Sequence, residues 1–133
     1  MKICYLDTSA IRHVLVEGVG TARVRRRIED DAATVATSEI AVTELHRLAQ
    51  REAWLRTSDV DAVLDQLDLV ALTRPQLRAA GLLPDLERGV RLRSLDAIHL
   101  QAALDLGATE FLTSDTLQSR AARAAHLKTV LLR

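Results

Sequence analysis

Short unbroken apolar runs alternate along the chain with longer stretches in which apolar residues recur every three or four positions, a pattern that predicts strands interleaved with helices. The first run, Ile3-Cys4-Tyr5-Leu6, is bounded by Lys2 and Asp7 and suits a strand covered on both faces. Thr8 and Ser9 are helix-starting residues, and Ala10, Ile11, Val14 and Leu15 continue with helical spacing to about Glu17, before Gly18-Val19-Gly20 breaks the pattern. Thr21 is expected to cap a second, mostly exposed helix running to about Asp31, with Ala22, Val24 and Ile28 as its sparse apolar positions. Thr34 to Thr37 reads as a short strand, and Ser38 as the start of a helix to about Arg51 whose stripe is Ala41, Leu45, Leu48 and Ala49. Glu44 falls at the edge of that stripe.

The second half repeats the alternation. Thr57-Ser58-Asp59 leads into a helix with Val60, Val63, Leu64 and Leu67 on one face, followed by a strand over Leu69 to Leu72. Thr73-Arg74-Pro75-Gln76 matches a helix start with proline in the first turn; Leu77, Ala80, Leu83 and Leu86 would be its apolar positions, against Gly81 and Pro84. After a basic loop from Gly89 to Arg93, Ser94 is expected to cap the most apolar helix, Leu95 to Leu106, ended by Gly107 and buried on several sides. Glu110 to Thr113 is a strand, Ser114-Asp115 opens a helix through Ala125, and Lys128 to Leu132 is the last strand. Strands alternating with helices give a three-layer α/β/α fold with a short, mostly parallel central sheet, and 133 residues fit one domain, 1–133.

Charge and composition narrow the function classes. Lysine plus arginine balance aspartate plus glutamate at 18 each, so net charge alone points to neither nucleic acid nor a membrane surface. Setting four acids aside for a metal site would leave 18 basic groups against 14 acidic ones, basic ground around an acidic centre. Arg23, Arg25, Arg26 and Arg27 cluster on what reads as a solvated helix face, and Arg88, Arg91 and Arg93 form a second group. Aromatics at 2% argue against a base-stacking platform, so any nucleic-acid contact would rest on phosphates and shape. The lone Cys4, taken as core packing, fits a reducing compartment. The four apolar residues after Lys2 are too few for a secretory segment, and no run approaches a membrane span, so cytoplasmic placement is expected.

Acids recur where strands end. Asp7 follows the first strand, at the carboxyl edge where open α/β sheets bind ligands, though it can equally cap the next helix. Asp115 follows the fourth strand and can cap a helix with Gln118 as its box partner; Asp96 lies in the first turn of the apolar helix, where it complements the helix dipole; Glu44 can reach solvent. Carboxylates gathered at one sheet edge would repel unless a cation neutralised them, and a hard divalent ion, Mg²⁺ or Mn²⁺, suits carboxylates and water.

Tyr5-Leu6-Asp7-Thr8-Ser9-Ala10, Val42-Thr43-Glu44-Leu45, Arg93 to Leu100 (Arg-Ser-Leu-Asp-Ala-Ile-His-Leu) and Phe111-Leu112-Thr113-Ser114-Asp115 resemble the ordered acidic motifs of PIN-domain ribonucleases, more narrowly VapC-type toxins of bacterial toxin-antitoxin pairs. The resemblance covers essentially the whole chain, with Ser94 to Leu100 its strongest segment. It implies a PIN-like fold and a Mg²⁺-dependent endoribonuclease, with Asp7, Glu44, Asp96 and Asp115 as the acidic site and Asp7, Asp96 and Asp115 as metal ligands. It also implies a VapB-like antitoxin as partner and a homodimer. Glu44 would orient the attacking water or bind a second ion, and Ser9 and Thr113 would hydrogen-bond the carboxylates or serve as turn and cap residues. His99, one turn after Asp96, reads first as a buried histidine satisfying a backbone or carboxylate partner and second as a general acid or base; His13, His46 and His126 show no convergent partner in the sequence. Two other classes stay open on the residues alone: an aspartyl-phosphate phosphatase and a noncatalytic, receiver-like module.

Overall fold

The computed structural model describes residues 2–133. Five strands, β1 (Lys2–Leu6), β2 (Ala33–Ser38), β3 (Asp68–Val70), β4 (Glu110–Thr113) and β5 (Thr129–Leu131), form one sheet in the order β3-β2-β1-β4-β5. Every neighbouring pair is parallel, so the sheet is wholly rather than mostly parallel. The chain builds outward from β1 through β2 to β3, then returns to the other side of β1 for β4 and β5. The winding direction therefore reverses between β1 and β4, and the crevice at their carboxyl ends is the ligand-binding position of such a sheet.

Seven helices cover the two faces: α1 (Thr8–Leu15), α2 (Thr21–Glu29), α3 (Ile40–Arg51), α4 (Thr57–Leu64), α5 (Arg74–Gly81), α6 (Ser94–Leu106) and α7 (Thr116–Ala124). Side-chain alternation along the strands divides the core. Cys4, Leu6, Val35 and Leu112 face one apolar cluster with Ile11, Val24, Leu45 and Val60 of α1 to α4. Tyr5 and Phe111 face the other, with Leu100 and Ala103 of α6 and Ala121 and Ala122 of α7. The Tyr5 and Phe111 rings stack with centroids 5.5 Å apart and planes 9° from parallel. Helix α6 is buried on several sides through Ala97, His99, Leu100, Ala102 and Ala103, while Leu95 is exposed, and Gly107 ends that helix at φ 69°, a left-handed conformation that glycine adopts without strain.

The differences from expectation lie at element ends and on the surface. Thr21 does not cap α2; its hydroxyl accepts from Gly18 N and donates to the His13 carbonyl, closing the turn between α1 and α2. Ser94 is the first helical residue, and Arg93 takes the cap position without a side-chain bond. Ser38 belongs to β2, its hydroxyl accepting from Ile40 N. The edge strand β3 is one residue earlier and shorter than the apolar run, leaving Leu69 exposed. The helix after Thr73 stops at Gly81, so Leu86 lies outside it, and both Leu86 and Leu77, which is within it, are exposed rather than forming a stripe. Arg27 leaves the solvated arginine group altogether: its guanidinium grips the buried Glu110 carboxylate through two bonds, 2.9 and 3.0 Å, because a carboxylate buried at the start of β4 requires a cation. Among the described residues, no helix is long and apolar enough to cross a membrane.

Candidate active site

Asp7 serves as a helix cap and also stands at the carboxyl edge of the sheet. As the cap of α1 it accepts from Ala10 N at 3.0 Å. The same carboxylate is turned into the β1/β4 crevice, where Ser9 Oγ donates to Oδ1 (2.6 Å) and Thr113 Oγ1 donates to Oδ2 (2.5 Å). Asp7 is only 5% exposed, and among the described residues no lysine or arginine pairs with it. Burial pushes its carboxyl above the usual carboxylate range, and the Ser9 and Thr113 hydroxyls oppose that without reversing it. Neutral dipoles hold this carboxylate, but its charge is not cancelled.

Thr113, the last residue of β4, joins two acids: its hydroxyl donates to Asp7 and accepts from Asp115 N at 3.0 Å. Asp115 is exposed and caps α7 by accepting from Gln118 N, as expected. The Gln118 side chain does not complete the expected box. It is buried and donates from Nε2 to the Asp96 carbonyl at 2.9 Å, tying α7 to the start of α6. Asp96 is half-buried, and its carboxylate takes no hydrogen-bond donor among the described residues. Burial raises its pKa, and the charges of Asp115 and Asp7, which like Asp96 stand at the start of a helix, raise it further.

Glu44 approaches the same edge from α3 and is met there by α6. His99 Nε2 and Thr8 Oγ1, both 2.8 Å away, donate to Glu44 Oε1; Oε2 takes no donor among the described residues. On its other side the His99 ring contacts Tyr5 Oη through Nδ1 at 2.7 Å, and Tyr5 Oη accepts from Ser38 N at 3.0 Å. Burial works to raise the Glu44 pKa, but the His99 contact and the Thr8 hydroxyl outweigh it, so the carboxyl is held below its usual range. His99 does satisfy a carboxylate, and that carboxylate is one of the four candidate site acids. Thr8, expected only to start a helix, is part of the same cluster. His13 and His46 also have partners invisible in the sequence: His13 Nε2 meets Ser114 Oγ at 2.5 Å, and His46 Nε2 meets Asp61 Oδ1 at 2.9 Å.

The donor set suits a hard divalent cation. Asp7, Asp96 and Asp115 offer only carboxylate oxygens, and the Asp96 carboxylate is without a protein donor. Among the described residues, no three histidine, cysteine, aspartate or glutamate side chains are drawn together into a ready ligand cage.

The fold and this edge define an α/β protein with an acidic crevice at its winding reversal. The PIN domain family model matches residues 4–124, and the chain belongs to that family. It is 33% identical over 117 residues to Ribonuclease VapC47 of Mycobacterium tuberculosis, covering 84% of this chain and 83% of that protein. Among solved structures it is similar to a chain of VapBC2 from Rickettsia felis bound to a DNA fragment from its promoter, with a TM-score of 0.73 at 17% identity over 98% of this chain and 99% of the other. It is likewise similar to a chain of VapBC-1 from nontypeable Haemophilus influenzae, with a TM-score of 0.69 at 15% identity over 98% of both chains. These two likenesses concern the fold.

Proposed function

We propose that this protein is a metal-dependent endoribonuclease and the toxin of a toxin-antitoxin pair, with Asp7, Glu44, Asp96 and Asp115 as its reaction centre. The observation that carries the reading is uncompensated carboxylate charge at the β1/β4 edge, where Asp7 and Asp96 both have raised pKa values and neither pairs with a cation among the described residues. Membership of the PIN domain family and 33% identity to a named ribonuclease support it. Asp7, Asp96 and Asp115 would hold Mg²⁺, or Mn²⁺ in its place. The bound ion supplies charge stabilisation at a phosphodiester and lowers the pKa of water so that it can attack phosphorus. Ser9 and Thr113 hold Asp7 in one orientation through its two oxygens. Glu44, kept ionised, presents its free oxygen as acceptor for the attacking water.

A shallow cleft of about 390 Å³ runs from the Ser9 and Ser114 side of this edge past Arg12 to the half-exposed Trp54. It gives a phosphate chain a basic and an aromatic contact beside the acids. An aspartyl-phosphate enzyme or receiver would need Asp7 as an accessible nucleophile, and its burial and occupied oxygens disfavour that role. The cognate partner is a VapB-like antitoxin reaching the acidic edge with a basic side chain, and the chain itself pairs as a homodimer.

The test is cleavage of bacterial RNA by purified protein with Mg²⁺ and with EDTA, alone and after co-expression with the product of the neighbouring gene. Cleavage with Mg²⁺, its loss in EDTA, and its suppression by the partner are expected. Release of acid-labile phosphate from the chain, with no RNA cleavage, would overturn the nuclease reading.

A further inference from the structure

With Glu44 ionised, its contact at 2.8 Å calls for a hydrogen on Nε2 of a neutral His99 ring, and Thr8 Oγ1, 3.1 Å from the same nitrogen, then spends its own hydrogen on Glu44. Tyr5 Oη accepts from the Ser38 backbone N–H, so its own proton is free to be donated to His99 Nδ1. Nδ1 is then the acceptor nitrogen, and Nε2 carries the hydrogen that Glu44 Oε1 requires. The line Ser38 N–H, Tyr5 O–H, His99 Nε2–H, Glu44 Oε1 thus runs in one direction and leaves none of its donors unused. It begins in β2 and β1 and crosses the carboxyl edge between the helical layers, since Tyr5 and Leu100 pack on one face while Leu45, next to Glu44, packs on the other. Tyr5 is fully buried and His99 is 2% exposed, so neither can meet a macromolecular substrate directly. Thr8 Oγ1 adds a second donor to the same Glu44 oxygen. All the anchoring falls on Oε1.

We infer that Tyr5 and His99 are positioning residues for the cleavage reaction, locking Glu44 by one oxygen so that Oε2 alone is presented to the attacking water. This rests on the nuclease reading above and assigns Glu44 to water orientation rather than to binding a second ion. Outer-shell partners of this kind change activity by roughly 10- to 100-fold when removed.

The test compares the parent protein with His99→Gln, Tyr5→Phe and Glu44→Gln, and with each of the first two combined with the third. The probe is a synthetic single-stranded RNA that the parent cleaves, and kcat, KM, the Mg²⁺ concentration for half-maximal rate and thermal melting are measured. His99→Gln should lower kcat by about 10- to 100-fold, and Tyr5→Phe by less, with KM and the Mg²⁺ dependence unchanged. In the Glu44→Gln background either change should cost less than about twofold, because residues acting through one group are not additive. A loss of the same size in both backgrounds, a shifted Mg²⁺ dependence, or full kcat in the single variants would overturn the role while leaving an active parent, and hence the nuclease reading, intact. A parent with no metal-dependent cleavage overturns the nuclease reading and this role with it. Should His99→Gln fail to fold, Tyr5→Phe, which keeps the stacked ring, carries the comparison.

Discussion

Two buried carboxylates sit at opposite ends of the same pair of strands and are treated in opposite ways. Glu110, at the amino end of β4 and 3% exposed, is clasped by Arg27 through two bonds that hold its carboxyl below the usual range. Asp7, just past the carboxyl end of β1 and 5% exposed, receives two hydroxyls and an amide but, among the described residues, no cation, and burial holds its pKa high. Similar burial with a different complement of charge separates structure from site. One end of the sheet is electrically closed, and the other keeps a buried carboxylate with no paired cation among the described residues, the end at which the proposed ion would bind.

The sharpest way to break this comparison is to remove the open charge. Asp7→Asn and Asp96→Asn should each lower Mg²⁺-dependent RNA cleavage by roughly 10²- to 10³-fold or more, and Glu44→Gln by less, measured as kcat/KM on one RNA. Full cleavage by Asp7→Asn, with contaminating nuclease excluded, would remove Asp7 from the site.

At the closed end, Arg27→Ala should destabilise the fold by about 3 kcal/mol in a urea titration, because it strands the Glu110 carboxylate, whereas the double change Arg27→Met with Glu110→Met should recover most of that loss. A single variant as stable as the parent would mean that the pair compensates nothing.

The smallest effect concerns stability without metal. Asp7→Asn should melt higher than the parent in EDTA by the equivalent of about 1 kcal/mol, yet gain less from Mg²⁺, which stabilises the parent by linkage. The two ends should also answer pH with opposite sign. The folded pKa of Asp7 lies above its unfolded value of about 3.9, so its favourable contribution is complete below that value and is lost as pH rises through the raised folded pKa. Glu110 has a depressed folded pKa, so its contribution is present above about 4.3 and is lost as pH falls through the folded value. Melts of Asp7→Asn and Glu110→Gln across acid pH should each flatten one of these opposed slopes; the same slope in both would contradict the comparison.

Strand and helix order were legible because buried parallel strands appear as short apolar runs and the helices between them keep their period. Asp7, Asp96 and Asp115 could be placed at one edge because each follows a strand or opens a helix, positions fixed by local chemistry. The wiring between them was not legible. Arg27 to Glu110, Tyr5 to His99 and Gln118 to Asp96 are pairings between separate elements, set by how helices seat on the sheet, and no local spacing announces them. Gln118 misled for that reason: its position fits a capping box, but a buried amide beside α6 found a carbonyl there instead. Leu77 and Leu86 misled in the other direction, being apolar at helical spacing yet exposed, Leu77 within α5 and Leu86 beyond its end.

The hydroxyl bond from Thr113 to Asp7 spans 106 positions of sequence. During synthesis at roughly 5 to 20 residues per second, the amino-terminal acid therefore waits several seconds for its partner strand to leave the ribosome. Until β4 inserts beside β1, no crevice exists between them, and Asp7 and Asp115 have no common edge to occupy. A nascent chain of this topology makes Asp7 early, yet the edge that Asp7 and Asp115 share forms only once β4 has been made and paired with β1.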